Sequence, residues 1–375
     1  MAFINYLTHI RFADRIVEDA LAEQVRLLGI QRPLIVTDAG GVSDALADEP
    51  LGRVTDALPM DCKASVLFVR SGLFQDELIA DVRAAFSHGQ CDGYIGLGSE
   101  IALNLARRAS HETRLPAKRT SLVSAARQLM IAIPTSTACV GLQPLPAHPG
   151  RRARLGNSQD SAMLPDVVLC DPTLTLGQSE SATAAAGMDA LTHCIEAYLG
   201  TTWNPPADGM ALDGIRRASA NLDRVVHHGN DLDARREMMA AALDAGLAAQ
   251  KGLGAVEALS HALEEEICRP MAHGNLHAAL LPAVLVFNTP AINGRMAALT
   301  DALSDALQIS RDQEVVPALS ALGARIHLPQ DLQVLQLDGV ARARVARRAT
   351  EHPATRTNPR HATSADYVWM LEHAS

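Results

Sequence analysis

Aromatic side chains are scarce in this sequence, at 3% of 375 residues. Base-stacking platforms for single-stranded nucleic acid need such rings, so that mode of binding is excluded. Positive charge is also short: 33 Lys and Arg stand against 42 Asp and Glu, a formal net charge of −9. This balance argues against nucleic acid or an anionic membrane as the main partner. None of the six cysteines, Cys62, Cys91, Cys139, Cys170, Cys194 and Cys268, stands in a CxxC pair. They read as reduced, mostly buried small hydrophobes of a cytoplasmic protein. No window holds eighteen uncharged apolar residues, so no membrane span is expected. The opening MAFINYLTHIRFADR lacks the basic and then apolar run of a signal peptide.

What the sequence does have is a change of pattern part-way along. RPLIVTDAG (32–40), KASVLFVRSG (63–72), CDGYIGLGSE (91–100), QLMIAIPTST (128–137) and DVVLCDPTLTLG (166–177) are short apolar runs ending in turn residues. Helical stretches such as QDELIADVRAAFSHG (75–89) and IALNLARRA (101–109) lie between them. Strands alternating with helices predict a parallel sheet covered by helices. After about residue 178 the segments become long, rich in Ala and Leu, and helical in period. The expected architecture is an α/β Rossmann-like domain over 1–177 and an all-helical domain over 178–375. The basic segment 114–128 reads as a surface excursion.

Chemistry-bearing residues gather in the helical half. GMDALTHCIEAY (187–198) puts Asp189 and His193 four residues apart in an otherwise apolar helix. Such residues lie on one face. A buried carboxylate is costly unless something pairs with it. A shared divalent metal is one solution; an Asp–His hydrogen bond or a satisfied polar pair is another. Glu257 and His261 repeat the spacing, and His273 follows in an AHG turn. A His and carboxylate set from several helices suits zinc or iron. Glu257 could equally be solvated, and His277 reads more readily as a surface or packed histidine than as a ligand.

The helix GMDALTHCIE resembles the G-x-D-A-L-T-H-x-x-E helix of the iron-containing (group III) alcohol dehydrogenases, which are related in fold to dehydroquinate synthases. The likeness is continuous over nearly the whole chain. MAFINYLTHIRF, WNPPADGMALDGI (203–215), QKGLGAV (250–256) and TNPRHATSADY (357–367) look like the 4-hydroxybutyrate dehydrogenase subgroup. The resemblance implies a Fe²⁺ or Zn²⁺ site at Asp189, His193, His273 and Glu257, the last standing where the family has a histidine. It implies His261 as the catalytic residue beside the nicotinamide, a small-molecule substrate, and a homodimer with a strand exchanged near FINYLTH (3–9).

The departures lie in the nucleotide-binding loops. The family's GGGS turn is here Gly98, Ser99, Glu100 and Ile101, and its D-x-A-K becomes Asn104 to Arg107. Glycines in such turns let backbone N–H groups reach a pyrophosphate at a helix N-terminus. A like charge at about 4 Å costs roughly 4 kcal/mol before screening, about a thousandfold in affinity, as an upper value. The family's P-T-T-S-G-T-G-S-E loop is here PTSTACVGL, keeping Thr135 and placing Cys139 at a cofactor-contacting threonine. Asp38 survives at the end of the first of these strands, where a carboxylate accepts bonds from an adenosine ribose and favours NAD over NADP; it could equally be a turn former. The expected NAD(H) contacts are therefore Asp38, Gly98, Ser99, Thr135 and Cys139. Two functions remain open. One is a metal-dependent, NAD(H)-linked dehydrogenase of a small alcohol or hydroxy acid. The other is a weak or inactive relative with impaired NAD binding, serving as a regulatory subunit or taking another small anion.

Overall fold

The structure is a computed structural model and describes residues 6, 8–38, 49–69, 75–113, 128–138, 140–142, 164–267 and 271–374. Among these are six strands: β1 (His9–Phe12), β2 (Pro33–Thr37), β3 (Ser65–Phe68), β4 (Gly93–Gly98), β5 (Leu129–Pro134) and β6 (Val167–Cys170). All their pairings are parallel, in the order β1-β6-β5-β4-β2-β3. Parallel neighbours need crossovers, supplied among the described residues by α1 (Ile16–Leu28), α2 (Glu49–Asp56), α3 (Gln75–His88) and α4 (Glu100–Glu112).

Alternation along the strands explains how both faces are covered. Leu34, Val36, Tyr94, Met130, Ala132 and Val168 join one apolar cluster. Their neighbours Ile35, Ile95, Ile131, Ile133 and Val167 join a second, with α1 residues Val17, Leu21 and Val25. Successive side chains of a strand point to opposite faces, so these inner strands carry apolar residues on both. The edge strands differ: β1 is HIRF and β3 is SVLF, each partly exposed.

From Glu180 the described chain is helical. It runs through α5 (Glu180–Leu199), α6 (Pro205–His227), α7 (Leu232–Ala248), α8 (Ala255–Ile267), α9 (His273–Asn288), α10 (Asn293–Leu307), α11 (Val315–Arg325), α12 (Gly339–Glu351) and α13 (Ser364–His373). Ser179 starts α5 by accepting the N–H of Ala182. Every residue from Gly187 to Leu199 is buried, so α5 is a central helix rather than a surface one.

The strand order places a crevice. β2 connects outward to β3 on one side, while β4 connects to β5 on the other. Open parallel sheets bind ligands outside the strand ends at such a switch point. Here those ends carry Asp38 after β2 and Ser99 after β4. The expected α/β and all-helical halves are present. Segment 114–127, most of the expected N-terminal exchange strand and Cys139 lie outside the described residues.

One buried acid on α7 yields a stability prediction. Burial and then the nearby Asp213 carboxylate raise the Asp244 carboxyl to about 7. A carboxyl with a folded value above its unfolded one stabilises most below the unfolded value, and that stability is lost as pH rises through about 7. Asp244→Asn should match the parent near pH 4 and exceed it by about 2 kcal/mol at pH 8.5. Calorimetric unfolding at the two pH values checks this; an unchanged difference between them contradicts it.

Candidate metal centre

Three helices bring their titratable side chains to one place. α5 presents Asp189 and His193, which are 2% and 1% exposed. His193 Nδ1 lies 3.4 Å from Asp189 Oδ2, as the one-turn spacing requires. α8 presents Glu257, 6% exposed, and His261 on the next turn, half-buried. The first residue of α9 is His273, and His277 one turn on is fully buried.

Two backbone devices set this arrangement. Glu196, on α5, accepts the backbone N–H groups of Gly254 (3.0 Å), Val256 (2.7 Å) and Glu257 (3.2 Å), so α5 caps the start of α8. Burial pushes that carboxyl up to about 7, against the pull of its N–H donors. At the start of α9, Gly274 touches α5 so closely that a Cβ would fall 1.9 Å from the Ala185 carbonyl oxygen. A side chain there would lift α9, and with it both of its histidines, off Asp189.

The polar atoms converge. Glu257 Oε2 is 3.0 Å from His193 Nε2, 3.1 Å from His273 Nε2 and 3.7 Å from His277 Nε2. His277 Nδ1 is 3.3 Å from Asp189 Oδ1. Ligand atoms of Asp189, His193, His273 and His277 lie within 4.8 Å of one another, as do those of Glu257, His261 and His273. Both ring nitrogens of His277 are buried and without a hydrogen bond. Glu264 Oε1 bonds His273 Nδ1 at 2.7 Å, leaving Nε2 to face the cluster. A carboxylate behind a histidine in this way fixes tautomer and ring orientation in metal sites.

Charge in the cluster is tightly balanced. Burial would raise Asp189, but the imidazoles of His193, His277 and His273 hold it well below the usual carboxylate range. Burial likewise opposes ionisation of Glu257, and His261 and His193 overcome it. Burial alone would lower His273, yet Glu264 and Glu257 lift it well above an ordinary imidazole. For His277 such help falls short: burial and then His273 push it down to about 4, against the pull of Glu257 and Asp189. Buried imidazole and carboxylate donors of this kind fit a divalent first-row ion.

Across the cleft stand the turn residues. Gly98 has φ +138°, and a Cβ there would fall 2.0 Å from Asp38 Oδ1. Ser99 caps α4 and gives its backbone N–H to Asp38 Oδ1 at 2.9 Å and its hydroxyl to Oδ2. The Thr135 N–H reaches the Gly98 carbonyl at 3.0 Å. Asp38, Gly98, Ser99 and Thr135 thus form one patch at the switch point. The expectation that Glu100 sets a bare charge where phosphates lie needs revision. Its Oε1 accepts from Asn104 Nδ2 at 3.1 Å. Burial raises its carboxyl, and the Asp189 carboxylate raises it further, so the acid stands within reach of the cluster's charges. The turn offers fewer free backbone donors than a glycine turn does, since the Ser99 N–H already serves Asp38.

The chain is similar to known proteins over its whole length. The model of the Fe-containing alcohol dehydrogenase family, C-terminal, matches residues 183–375. 4-Hydroxybutyrate dehydrogenase of Cupriavidus necator is 33% identical, covering 100% of both chains. The chain belongs to the iron-containing alcohol dehydrogenase family. 1,3-Propanediol dehydrogenase of Klebsiella pneumoniae is 27% identical over 94% of each chain. A crystal structure of 1,3-propanediol oxidoreductase superposes over 100% of both chains with TM-score 0.81 and 26% identity. As a member of the iron-containing alcohol dehydrogenases the chain is an oxidoreductase.

The structure brings together Asp189, His193, Glu257, His261 and His273, all named from sequence. Glu257 is not solvated, and His277, read as surface or packed, lies inside the cluster. Its signal was present in the HGNLH spacing, a third i, i+4 pair. Glu264, which orients His273, was not singled out.

Gly274→Ala should cost about 1–3 kcal/mol through overpacking. It should also weaken Zn²⁺ binding, because His273 and His277 move with α9. Thermal unfolding and Zn²⁺ calorimetry test both; an unchanged melting temperature would mean the helices part without cost.

Proposed function

We propose that the chain is a metal-dependent, NAD(H)-linked alcohol dehydrogenase or aldehyde reductase. Its substrate is a small alcohol of the short hydroxy-acid class, such as 4-hydroxybutyrate. The observation that carries the reading is the buried convergence of Asp189, His193, His273 and Glu257 beside the switch-point crevice. The likeness to a 4-hydroxybutyrate dehydrogenase supports the substrate class.

The residues divide the work. Asp189, His193, His273 and Glu257 would hold Fe²⁺ or Zn²⁺. Such an ion supplies Lewis acidity that lowers the pKa of an alcohol oxygen. Asp38, Gly98, Ser99, Thr135 and Cys139 would hold NAD(H), with the nicotinamide turned toward the helices for hydride exchange. His261 holds the proton. Its Nε2 is 3.0 Å from Glu257 Oε1 and its Nδ1 is 3.5 Å from Glu264 Oε2. Although burial opposes it, Glu257 raises the imidazole above its ordinary value. A charged imidazole so placed returns a proton to the alkoxide during aldehyde reduction.

The domain boundary at 177/178, a cytoplasmic homodimer and reduced cysteines belong to the same reading. The gap between β6 and α5 supports the boundary, and free Cys62, Cys91, Cys170 and Cys194 support the redox state. A second reading, a weak or regulatory family member, draws on one observation: the Ser99 N–H already serves Asp38.

Calorimetry of NADH on anaerobic, Fe²⁺- or Zn²⁺-loaded protein separates the two. The dehydrogenase reading expects micromolar binding, followed by chelator-sensitive turnover of short hydroxy acids. No binding at millimolar NADH leaves the second reading. Glu100→Gly should tighten NADH about tenfold in the same assay, since a glycine lets the backbone N–H groups of the turn come closer to the pyrophosphate. Unchanged affinity would mean that Glu100 lies off the cofactor path.

A further inference from the structure

We propose that His277, rather than Glu257, is the fourth ligand of the divalent ion. The donor set is then Asp189, His193, His273 and His277, and Glu257 serves as the positioning carboxylate of His261. This rests on the metal reading above and changes which side chains carry it.

The first argument is the condition of His277. Its ring is fully buried, and neither nitrogen makes a hydrogen bond. Buried polar atoms in native proteins nearly always have a partner, and leaving one without is costly. The two nitrogens are directed at Asp189 Oδ1 (3.3 Å) and Glu257 Oε2 (3.7 Å), which is the cluster's interior.

The second argument is symmetry of supply. α5 offers an acid and an imidazole one turn apart, and α9 offers two imidazoles one turn apart. The rings of His193 and His277 meet edge-on at 5.1 Å, and those of His273 and His277 at 4.3 Å. Ligand atoms of these three imidazoles and of Asp189 lie within 4.8 Å of one another.

The third argument is what stands at that point. Glu257 Oε2 is the atom on which the three Nε2 atoms close. An acceptor oxygen takes N–H donors where a cation would take nitrogen lone pairs, so Oε2 marks the ion's position and not a ligand's. The other oxygen of Glu257 is engaged elsewhere, on His261 Nε2 at 3.0 Å. With an ion held by the other four side chains, Glu257 would keep its Oε1 bond to His261 and so position that imidazole.

The test compares two variants, His277→Asn and Glu257→Gln, by calorimetric titration with Zn²⁺ alone and by metal content after loading. We expect His277→Asn to lose about a hundredfold or more in Zn²⁺ affinity and Glu257→Gln to lose less than about tenfold. Glu257→Gln should instead shift the pH profile of turnover. Should His277→Asn fail to fold, X-ray absorption of the Zn²⁺-loaded parent protein counts imidazoles directly, with three expected. Two imidazoles, or full affinity in His277→Asn with loss in Glu257→Gln, overturns the assignment in favour of Glu257. No Zn²⁺, Fe²⁺ or Co²⁺ binding by the parent protein overturns the metal reading beneath it, which is a different result.

Discussion

Everything in the site depends on one costly act, the burial of Asp189 and His193 in a helix that has no solvent face. A carboxylate at that depth is tolerated only with positive charge around it. The imidazoles of α5 and α9 supply that charge, and α8 adds a second carboxylate to be balanced. The close contact of α9 at Gly274 and the capping of α8 by Glu196 follow from the same demand: both hold partners within reach of α5.

The sheet plays a different part. Its strands are apolar on both faces and leave little polar surface except at their ends. At two of those ends Asp38 and Ser99 find each other across 61 residues of sequence. Their bond closes the turn before any ligand is present. Glu100, one residue on, turns toward the helices instead of the crevice, linking the electrostatics of the two halves.

Much of this was legible in the sequence, and the reasons it stopped where it did are physical. Two-faced apolar runs such as YIGLG announce inner parallel strands, and the i, i+4 spacing of Asp189 and His193 survives any error in helix boundaries. β1 was harder, since HIRF is short, polar and at an edge. The place of His277 inside the cluster was harder to foresee, because α9 is apolar on nearly every side and sequence does not reveal which face meets α5. Glu196 and Asp38 show the other limit. Each bonds backbone groups about 60 residues away, and no local pattern encodes such a pairing. The family resemblance supplied candidate ligands by position, and position leads to Glu257, where a histidine is missing, and not to the imidazole four residues beyond His273.

All the candidate ion ligands come from α5, α8 and α9, and none from the sheet. Those helices are locked to one another by Glu196 and Gly274. A cage drawn from these helices alone does not depend on how they meet the sheet, so its shape would outlast a shift between the two halves, and only the approach of Glu100 to it would alter.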